Sequence, residues 1–551
     1  MNRPSPALVA QDAVRPAPRW ALLIFCAAYV LPGIVGRSPW RTADITTVGV
    51  MHAMAQGRTS WLAPTLGGIP VDAAPLPHSL GAVAIMAFSP WLDPGLAARL
   101  PFALLLTLTL ALTWYSAFYL ARSEAAQPLP FAFGGEANHV DYARAIGDAA
   151  VLALIATLGL LQLGHETTPE LAQLTSAALL LWGLAAAPYR HWRSRLAMVA
   201  GLAALAASGA PIVAIAMGLA AAAILWRSKD DQAHAAFPWA IAATVAAIVI
   251  GSLLQQWHWR YAERFDLAGL PGTLRMLAWF LWPSWLLALW TLWRWRRQSL
   301  RRHIAVPLSL AVVAVVSSVV MDGSQRVLLL GLPAFALLAA FALPTLGRSA
   351  RAGVDWFSMF LFSGAAIAWW VVYASLQTGV PAKPAANIAR LYAGYEAAFS
   401  GAAFVVALAG TLAWVWLVRW RTGRHRPALW KSMVLPAGGV ALSWLLVMTL
   451  LLPLADYVRG MQPWVDRLRP HLAGGCVLAP GLPAAYVAAL EVHASASVDA
   501  REGSMQAATC RTALLLVDAT KAFKAPAGWR VIERVRRPSD RQEVTVVLRR
   551  A

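Results

Sequence analysis

The sequence has 551 residues, of which 59% are hydrophobic and only 13% are charged, and its formal net charge is +20. A soluble protein has about a quarter of its residues charged, and apolar stretches of roughly 20 residues, enough to cross a bilayer, recur along most of this chain. The composition therefore excludes a soluble enzyme. Nucleic acid is excluded as a partner because the arginines lie in short loops between apolar stretches, where they determine topology.

The first apolar stretch, residues 20–36, follows a basic N-terminal segment. This order resembles a signal peptide, but residues 36–40 contain no small-residue cleavage site. We therefore predict an uncleaved first membrane span.

A segment of lower hydrophobicity, residues 37–97, comes next, and it contains the lone carboxylate Asp44. Its one apolar stretch, 78–92, is short and contains Pro90, so we expect it to lie in the membrane interface. The alternative is that this stretch also crosses, which would change the topology of everything before it.

Twelve further stretches are apolar enough to cross the bilayer, which makes thirteen predicted spans. They are residues 98–121, 148–163, 170–187, 195–208, 210–226, 237–255, 274–293, 304–321, 326–345, 356–376, 398–418 and 434–454. The join at 207–211 is tight, so an alternative there is one long kinked element.

Four loops between these stretches are strongly basic: residues 190–195, 294–302, 348–351 and 419–431. Neighbouring basic loops are separated by an even number of spans, so all four should face one side, the cytoplasm. A cytoplasmic N-terminus and thirteen spans then place residues 37–97 and the end of the chain on the outer face.

The C-terminal residues, 456–551, contain more charge and show β-strand patterns. Runs at 514–517, 531–535 and 543–548 predict strands, and 483–491 predicts a helix. We predict a small α/β domain of residues 456–551 after a transmembrane domain of residues 1–455. Cys476 and Cys510 both fall in this domain, and whether they form a disulfide stays open.

Three outer-loop carboxylates are candidates for chemistry: Asp44, and Glu166 and Glu170 before the fourth span. Carboxylates at a membrane boundary suit general-base catalysis or metal coordination, because partial desolvation raises their basicity. The alternative for Asp44 is a solvated loop residue. The alternative for Glu170 is a residue stabilised by the helix dipole at the start of its span.

Arginines on the same face suit a phosphate, which they can bind bidentately. The sequence contains no Walker loop, no Gly-x-Gly-x-x-Gly and no zinc-protease motif, so soluble nucleotide chemistry has no support. It indicates no organic cofactor and leaves a divalent cation open.

The order of these parts resembles the GT-C membrane glycosyltransferases, and more closely the bacterial aminoarabinose transferase and protein mannosyltransferase branch. In that branch the first outer loop reads roughly Asp-Glu, then Gly and Trp, then Lys-Pro-Pro-Leu, then Ala-Arg-Leu-Pro. The pieces that match are residues 44–45, 57–64, 73–76 and 98–101, followed by the acidic segment 165–170 and by 325–333.

The resemblance implies a multi-pass enzyme of the bacterial inner membrane with a periplasmic C-terminal domain, in contact with membrane lipids. It implies transfer of a sugar from a polyprenyl-phosphate donor to a lipid or glycan acceptor on the periplasmic face, such as lipid A or another envelope glycan. Asp44 would act as the base or as an electrostatic organiser, with Glu166 or Glu170 as its partner.

Two departures from the family pattern affect the phosphate site. Ile45 stands in place of the second acid, and Ala73 in place of the lysine that is associated with the lipid phosphate. Phosphate binding would then fall to Arg260, Arg326 or His78.

Two other functions are compatible with the architecture: a transporter or flippase of a lipid-linked sugar, and a polymer ligase or polymerase. A transporter is expected to show ionisable residues near the bilayer midplane or internally repeated halves. The sequence shows neither feature, so the transferase is the leading hypothesis.

Overall fold

The computed structural model describes residues 5–257, 269–423, 428–472, 475–507 and 510–550. Within these ranges the chain forms a bundle of helices and, near its end, one five-stranded sheet.

The first predicted span and residues 37–97, which we call the outer segment after their predicted location, fold into three helices and a hairpin. These are α1 (Arg19–Val30), α2 (Ala43–Ala55), β1 (Thr65–Leu66), β2 (Ile69–Pro70) and α3 (Pro75–Phe88). Helix α3 has 14 residues, which at 1.5 Å per residue is too short to cross the hydrocarbon. Its length fits the prediction that this segment lies in the interface.

The next part of the bundle contains eight helices. They are α4 (Pro94–Ala121), α5 (His139–Ala156), α6 (Leu158–Leu163), α7 (Pro169–Ala186), α8 (His191–Ala207), α9 (Pro211–Trp226), α10 (Asp231–His234) and α11 (Phe237–Leu253). Gly209, with a φ of 88°, makes the tight turn between α8 and α9. These are two helices packed against each other, so the alternative of one kinked element is wrong.

Nine helices complete the bundle. They are α12 (Leu270–Phe280), α13 (Ser284–Arg294), α14 (Arg302–Val320), α15 (Gln325–Leu328), α16 (Leu332–Ala342), α17 (Arg348–Thr378), α18 (Ala382–Leu391), α19 (Gly401–Thr422) and α20 (Val434–Thr449). Helices α12 and α13 correspond to one predicted span, and they are bent by 91° at a short break.

The protein is a multi-pass helical membrane protein, as predicted. In the described part of the chain, seven helices are long and apolar enough to cross a membrane, or eight if the bent α12–α13 pair is one span. Each of the thirteen predicted stretches coincides with a helix or a broken helix. Several of them, such as α1 and α9, are short, and the number thirteen stays a prediction.

The first two basic loops lie at the same end of the bundle. The guanidinium carbon of Arg122, just after α4, is 4.9 Å from the ring centroid of Tyr189, just after α7. Arg302, at the start of α14, donates a hydrogen bond to the carbonyl of Leu184 at 2.5 Å. Helices α2 and α3 precede the other end of α4, so the bundle has a basic end and an end that carries the outer segment.

The C-terminal part contains α21 (Leu452–Arg459), α22 (Gln462–Leu468), β3 (Cys476–Leu478), α23 (Ala484–His493), β4 (Ser497–Asp499), α24 (Ser504–Ala507), β5 (Thr512–Asp518), β6 (Trp529–Val535) and β7 (Glu543–Arg550). The strand order is β4-β3-β5-β7-β6. Strand β3 runs parallel to β4 and β5, and β7 runs antiparallel to β5 and β6. The three predicted strands and the predicted helix are all present, and a disulfide joins Cys476 to Cys510.

The C-terminal part packs directly on the outer segment. Gly49 of α2 faces Ala488 of α23 so closely that a Cβ added at Gly49 would lie 2.5 Å from the Ala488 Cβ. Arg58 and Glu491 form an ion pair at 2.8 Å across the same contact. The two parts share one hydrophobic core, so the C-terminal part contributes to the surroundings of the outer segment.

Candidate functional site

A cavity of about 620 Å³ lies where the outer segment, the helix ends and α23 meet. Its apolar lining includes Ala43, Leu66, Ile69, Leu482, Ala484 and Val487. The polar side chains that line the cavity are those of Thr42, Thr46, Thr47, Asp72, His78, Glu170, Gln173, Ser208, Gln256, Ser324 and Arg326. The cavity lining therefore combines apolar residues with polar residues of both charge signs.

Arg326, Glu166 and Glu170 form one ion-pair cluster beside the cavity. The Nη2 of Arg326 is 2.6 Å from the Oε2 of Glu166, and its Nη1 is 3.2 Å from the Oε2 of Glu170. Local sequence places these groups: Ser324 is the N-cap of α15, two residues before Arg326, and Pro169 begins α7 just before Glu170. The structure thus brings together three of the six predicted site residues.

The two glutamates differ in their exposure. Glu166 is 4% exposed, and its other carboxylate oxygen accepts a hydrogen bond from Gln162 at 2.8 Å. Glu170 is 23% exposed and lines the cavity, whereas Glu166 does not. Glu170 is therefore the glutamate that can contact a bound molecule.

Asp44 lies behind the cavity wall and is not one of the lining residues. Its side chain and that of Arg37 are each 1% exposed, and they form an ion pair at 3.1 Å. Its two oxygens also accept backbone hydrogen bonds, from Thr167 at 2.9 Å and from Trp40 at 3.1 Å.

The pKa of Asp44 is set by opposing effects. Burial alone would raise the pKa of this carboxyl, but the charges of Arg37 and Arg99 and the two backbone N–H donors hold it below its usual value. A carboxylate with a lowered pKa is a weaker base. Of the two roles expected for Asp44, base and electrostatic organiser, this environment favours the electrostatic organiser.

Arg37 and Arg99 are structural partners that the sequence analysis did not single out. Arg37 donates to the carbonyls of Gly33 at 3.0 Å and His165 at 2.8 Å. Arg99 donates to the carbonyls of Arg37 and Ile34. Arg99 belongs to the quoted Ala-Arg-Leu-Pro match, so that motif was a signal for a residue that supports the loop before Asp44.

His78 lines the cavity from α3. Its Nδ1 donates to the carbonyl of Ala74 at 2.6 Å, so in the neutral ring Nε2 is an acceptor. Burial lowers the pKa of His78, and this effect outweighs the hydrogen bond to Ala74 and the nearby carboxylates. A neutral imidazole at pH 7 is a poor match for a phosphate, although it can accept a hydrogen bond from a sugar hydroxyl.

The remaining predicted residue, Arg260, lies outside the described residues. Asp72 and Gln173 line the cavity as well, although neither was a predicted site residue. Within the described ranges, no group of three His, Cys, Asp or Glu side chains could hold a metal ion.

No family profile matches this sequence, and no curated protein matches it. The fold is similar to a crystal structure of ArnT from Cupriavidus metallidurans bound to undecaprenyl phosphate, with a TM-score of 0.64, 15% sequence identity, and coverage of 96% of this chain and 98% of that one. The apo ArnT structure from the same organism gives a TM-score of 0.63, 15% identity, and coverage of 96% and 97%. Because this likeness extends over nearly the whole of both chains, the chain has the GT-C fold of the ArnT structures.

Proposed function

We propose that this protein is a membrane glycosyltransferase of the bacterial inner membrane, which transfers a sugar from a polyprenyl-phosphate donor to an acceptor on the periplasmic face. The observation that carries the proposal is the pairing of Arg326 with Glu170 on the wall of a largely apolar cavity. A guanidinium there suits a lipid phosphate, and a carboxylate suits the proton of an acceptor hydroxyl. A solved protein of the same fold contains undecaprenyl phosphate.

Donor binding would use Arg326, which is 30% exposed on its side chain and therefore accessible from the cavity. Glu166 and Glu170 hold the guanidinium at the cavity wall before a donor is present. A phosphate that contacts Arg326 would replace one of these carboxylates, and Glu170 is the more exposed. Release of Glu170 from the arginine would leave it free to accept a proton.

The transfer step would proceed by attack of an acceptor hydroxyl oxygen on the anomeric carbon of the donor sugar. A new carbon–oxygen bond forms, and the bond between the anomeric carbon and the phosphate oxygen breaks. The electron pair of that bond stays on the polyprenyl phosphate, whose charge Arg326 stabilises. Glu170 takes the hydroxyl proton.

Asp44 would act in this scheme as a positioning residue. It accepts a hydrogen bond from the backbone N–H of Thr167, which lies between Glu166 and Glu170 in the chain. Its partner Arg37 binds the carbonyl of His165 in the same loop. The Arg37–Asp44 pair therefore fixes the loop that carries both glutamates.

The test is deletion of the gene, followed by mass spectrometry of lipid A and the other envelope glycans. We expect one sugar modification to disappear, wild-type protein to restore it, and Glu170→Gln and Arg326→Ala to fail. The exposed carboxylate Glu502 provides the control, and Glu502→Gln should restore the modification. No change in any glycan after deletion, or full restoration by Glu170→Gln, would contradict the proposal.

A second measurement separates a transferase from a flippase. Purified protein is incubated with a lipid extract of the deletion strain, which contains both the donor and the unmodified acceptor. A transferase releases free polyprenyl phosphate in proportion to the product formed. A flippase leaves the linkage between sugar and phosphate intact.

A further inference from the structure

Two membrane helices are broken next to each other, and polar groups at one break form hydrogen bonds with polar groups at the other. The α5–α6 break is at Thr157, and its neighbour Leu158 donates its N–H to the carbonyl of Trp282 in the α12–α13 break at 3.0 Å. The hydroxyls of Thr157 and Ser284 also bond, at 2.6 Å. Backbone groups freed inside a membrane need such partners, so the 91° bend of α12–α13 is a fixed feature of the fold.

The bend leaves an apolar groove of about 860 Å³ between α12–α13 and α17. Its side walls include Trp279 and Leu286 on one side and Phe357 and Leu361 on the other, and none of the described residues that line it is charged. Trp279 is 63% exposed and Phe357 is 49% exposed. In a bilayer a groove with these walls is filled by hydrocarbon.

A second cavity, of about 510 Å³, is adjacent to the groove, because Leu158 and Trp279 line both. We call this second cavity the mouth. Its polar lining residues are Gln162, Arg275 and Gln325. No carboxylate is among its lining residues in the described part of the chain.

Arg275 is the one charged side chain among the described residues that line the mouth. It is exposed, and a second arginine, Arg459, donates a hydrogen bond to the side chain of the lining residue Gln162 at 2.5 Å. An apolar groove beside a cavity that contains an exposed arginine is complementary to a lipid with an anionic headgroup.

Groove and mouth are separate from the cavity proposed for transfer, and they share no lining residue with it. Gln325 faces the mouth, whereas the next residue, Arg326, faces the transfer cavity. Glu166 lies between them and bonds to Arg326 on one side and to Gln162 on the other.

We propose that this groove is a second lipid site, which holds the acyl chains of an anionic phospholipid while Arg275 contacts the headgroup phosphate. The place of the site is independent of the transferase proposal, since its residues are distinct from those of the transfer cavity, whereas the choice of occupant rests on that proposal. A polyprenyl phosphate is the less suitable occupant, because its phosphate is assigned to Arg326 on the other side of Glu166.

The first test fills the groove. A Cβ added at Gly353, which lines the groove on α17, would meet no atom within 4 Å, and the same holds for Gly364 on that helix, which does not line it. The full-length protein is purified in mild detergent with phosphatidylglycerol and phosphatidylethanolamine, and bound lipids are counted by native mass spectrometry. Gly353→Trp should lose one tightly bound phosphatidylglycerol that wild type and Gly364→Trp retain. Equal retention by all three proteins would overturn the proposal.

The second test addresses the headgroup. Arg275→Ala should reduce the preference for phosphatidylglycerol over phosphatidylethanolamine by about fivefold, the effect of one basic residue near a membrane surface. An unchanged preference would overturn the role of Arg275. Undecaprenyl phosphate, added as a competitor, should leave this phosphatidylglycerol bound. If undecaprenyl phosphate displaces it from wild type, the groove belongs to the carrier lipid and the proposal is wrong.

Discussion

Asp44 and Arg37 form an ion pair at 3.1 Å in which each side chain is only 1% exposed. The pair links the chain after the first span to the loop before α7, because Arg37 binds the carbonyl of His165 and Asp44 accepts from the N–H of Thr167. The acid that stands out in the sequence is therefore attached to the loop that carries Glu166 and Glu170, rather than to the cavity surface.

Asp44→Asn should destabilise the protein strongly. The substitution leaves the Arg37 charge buried without its partner, and breaking a buried pair in this way costs about 3–5 kcal/mol. We expect a clear fall in the thermal unfolding temperature of the purified protein. Asp499→Asn is the control, because it removes a partly exposed carboxylate from its pair with the exposed Arg501 and should change that temperature little. Equal unfolding temperatures for Asp44→Asn and wild type would show that the pair is not structural.

The stability contributed by Asp44 should depend on pH in one direction. Burial would raise the pKa of this carboxyl in the folded protein, but the charges of Arg37 and Arg99 hold that pKa below its usual value. The unfolded chain therefore binds the proton of Asp44 more readily than the folded chain does. The contribution is then fully present above the unfolded pKa of about 3.9 and is lost as pH falls through the folded pKa. The stability difference between wild type and Asp44→Asn should stay constant from pH 8 to about pH 5 and shrink only at lower pH. A difference that vanishes by pH 6 would mean that the folded pKa is raised.

Gly49→Ala should loosen the contact between α2 and α23. The added Cβ would lie 2.5 Å from the Cβ of Ala488 and 3.0 Å from its Cα, so a backbone must move, at a cost of about 1–3 kcal/mol. Gly364→Ala is the control on an open helix face, where alanine should instead stabilise by about 0.5–1 kcal/mol. Limited proteolysis of the C-terminal part reports the loosening, and Ala488→Gly should rescue Gly49→Ala. If Ala488→Gly does not rescue Gly49→Ala, the loosening does not arise at the contact between these two residues.

Removal of the disulfide should destabilise the C-terminal part. Cys476 and Cys510 are separated by 34 residues, and a loop of that length corresponds to about 3–4 kcal/mol of chain entropy in the unfolded state. The Cys476→Ser/Cys510→Ser double variant should therefore be cleaved faster by protease within residues 475–550 than wild type. Cys26→Ser, in α1, removes the one free cysteine and serves as the control. Equal cleavage rates for the double variant and wild type would contradict the prediction.

Sequence patterns predicted the elements that depend on local composition. Helices such as α4 and strands such as β7 appear where hydrophobic periodicity placed them, but β3 and β4 have three residues each, too few to show an alternation. The break in α12–α13 falls at Pro283, a residue type that interrupts helices, so the sequence alone could have predicted it.

The surroundings of the site residues depend on contacts between distant parts of the chain. Thr167 lies 123 residues from Asp44, and no local pattern reports such a bond. Glu166 and Glu170 are equivalent candidates in sequence, yet packing leaves one 4% and the other 23% exposed. The order of motifs was enough to identify the fold, whereas the division of roles among the carboxylates required the structure.

Glu170→Gln should separate activity from stability. This residue lines the cavity and is partly exposed, so its loss should change the unfolding temperature little. Because Glu170 is the proposed proton acceptor, its replacement by glutamine should lower the transfer rate by about 10²- to 10⁴-fold. Asp44→Asn should instead lower both the unfolding temperature and the yield of folded protein. The measurements are sugar transfer with the deletion-strain lipid extract and thermal unfolding of the same preparations. If Glu170→Gln transfers sugar at the wild-type rate while Asp44→Asn is stable and inactive, Asp44 is the base and the roles assigned to the two residues are reversed.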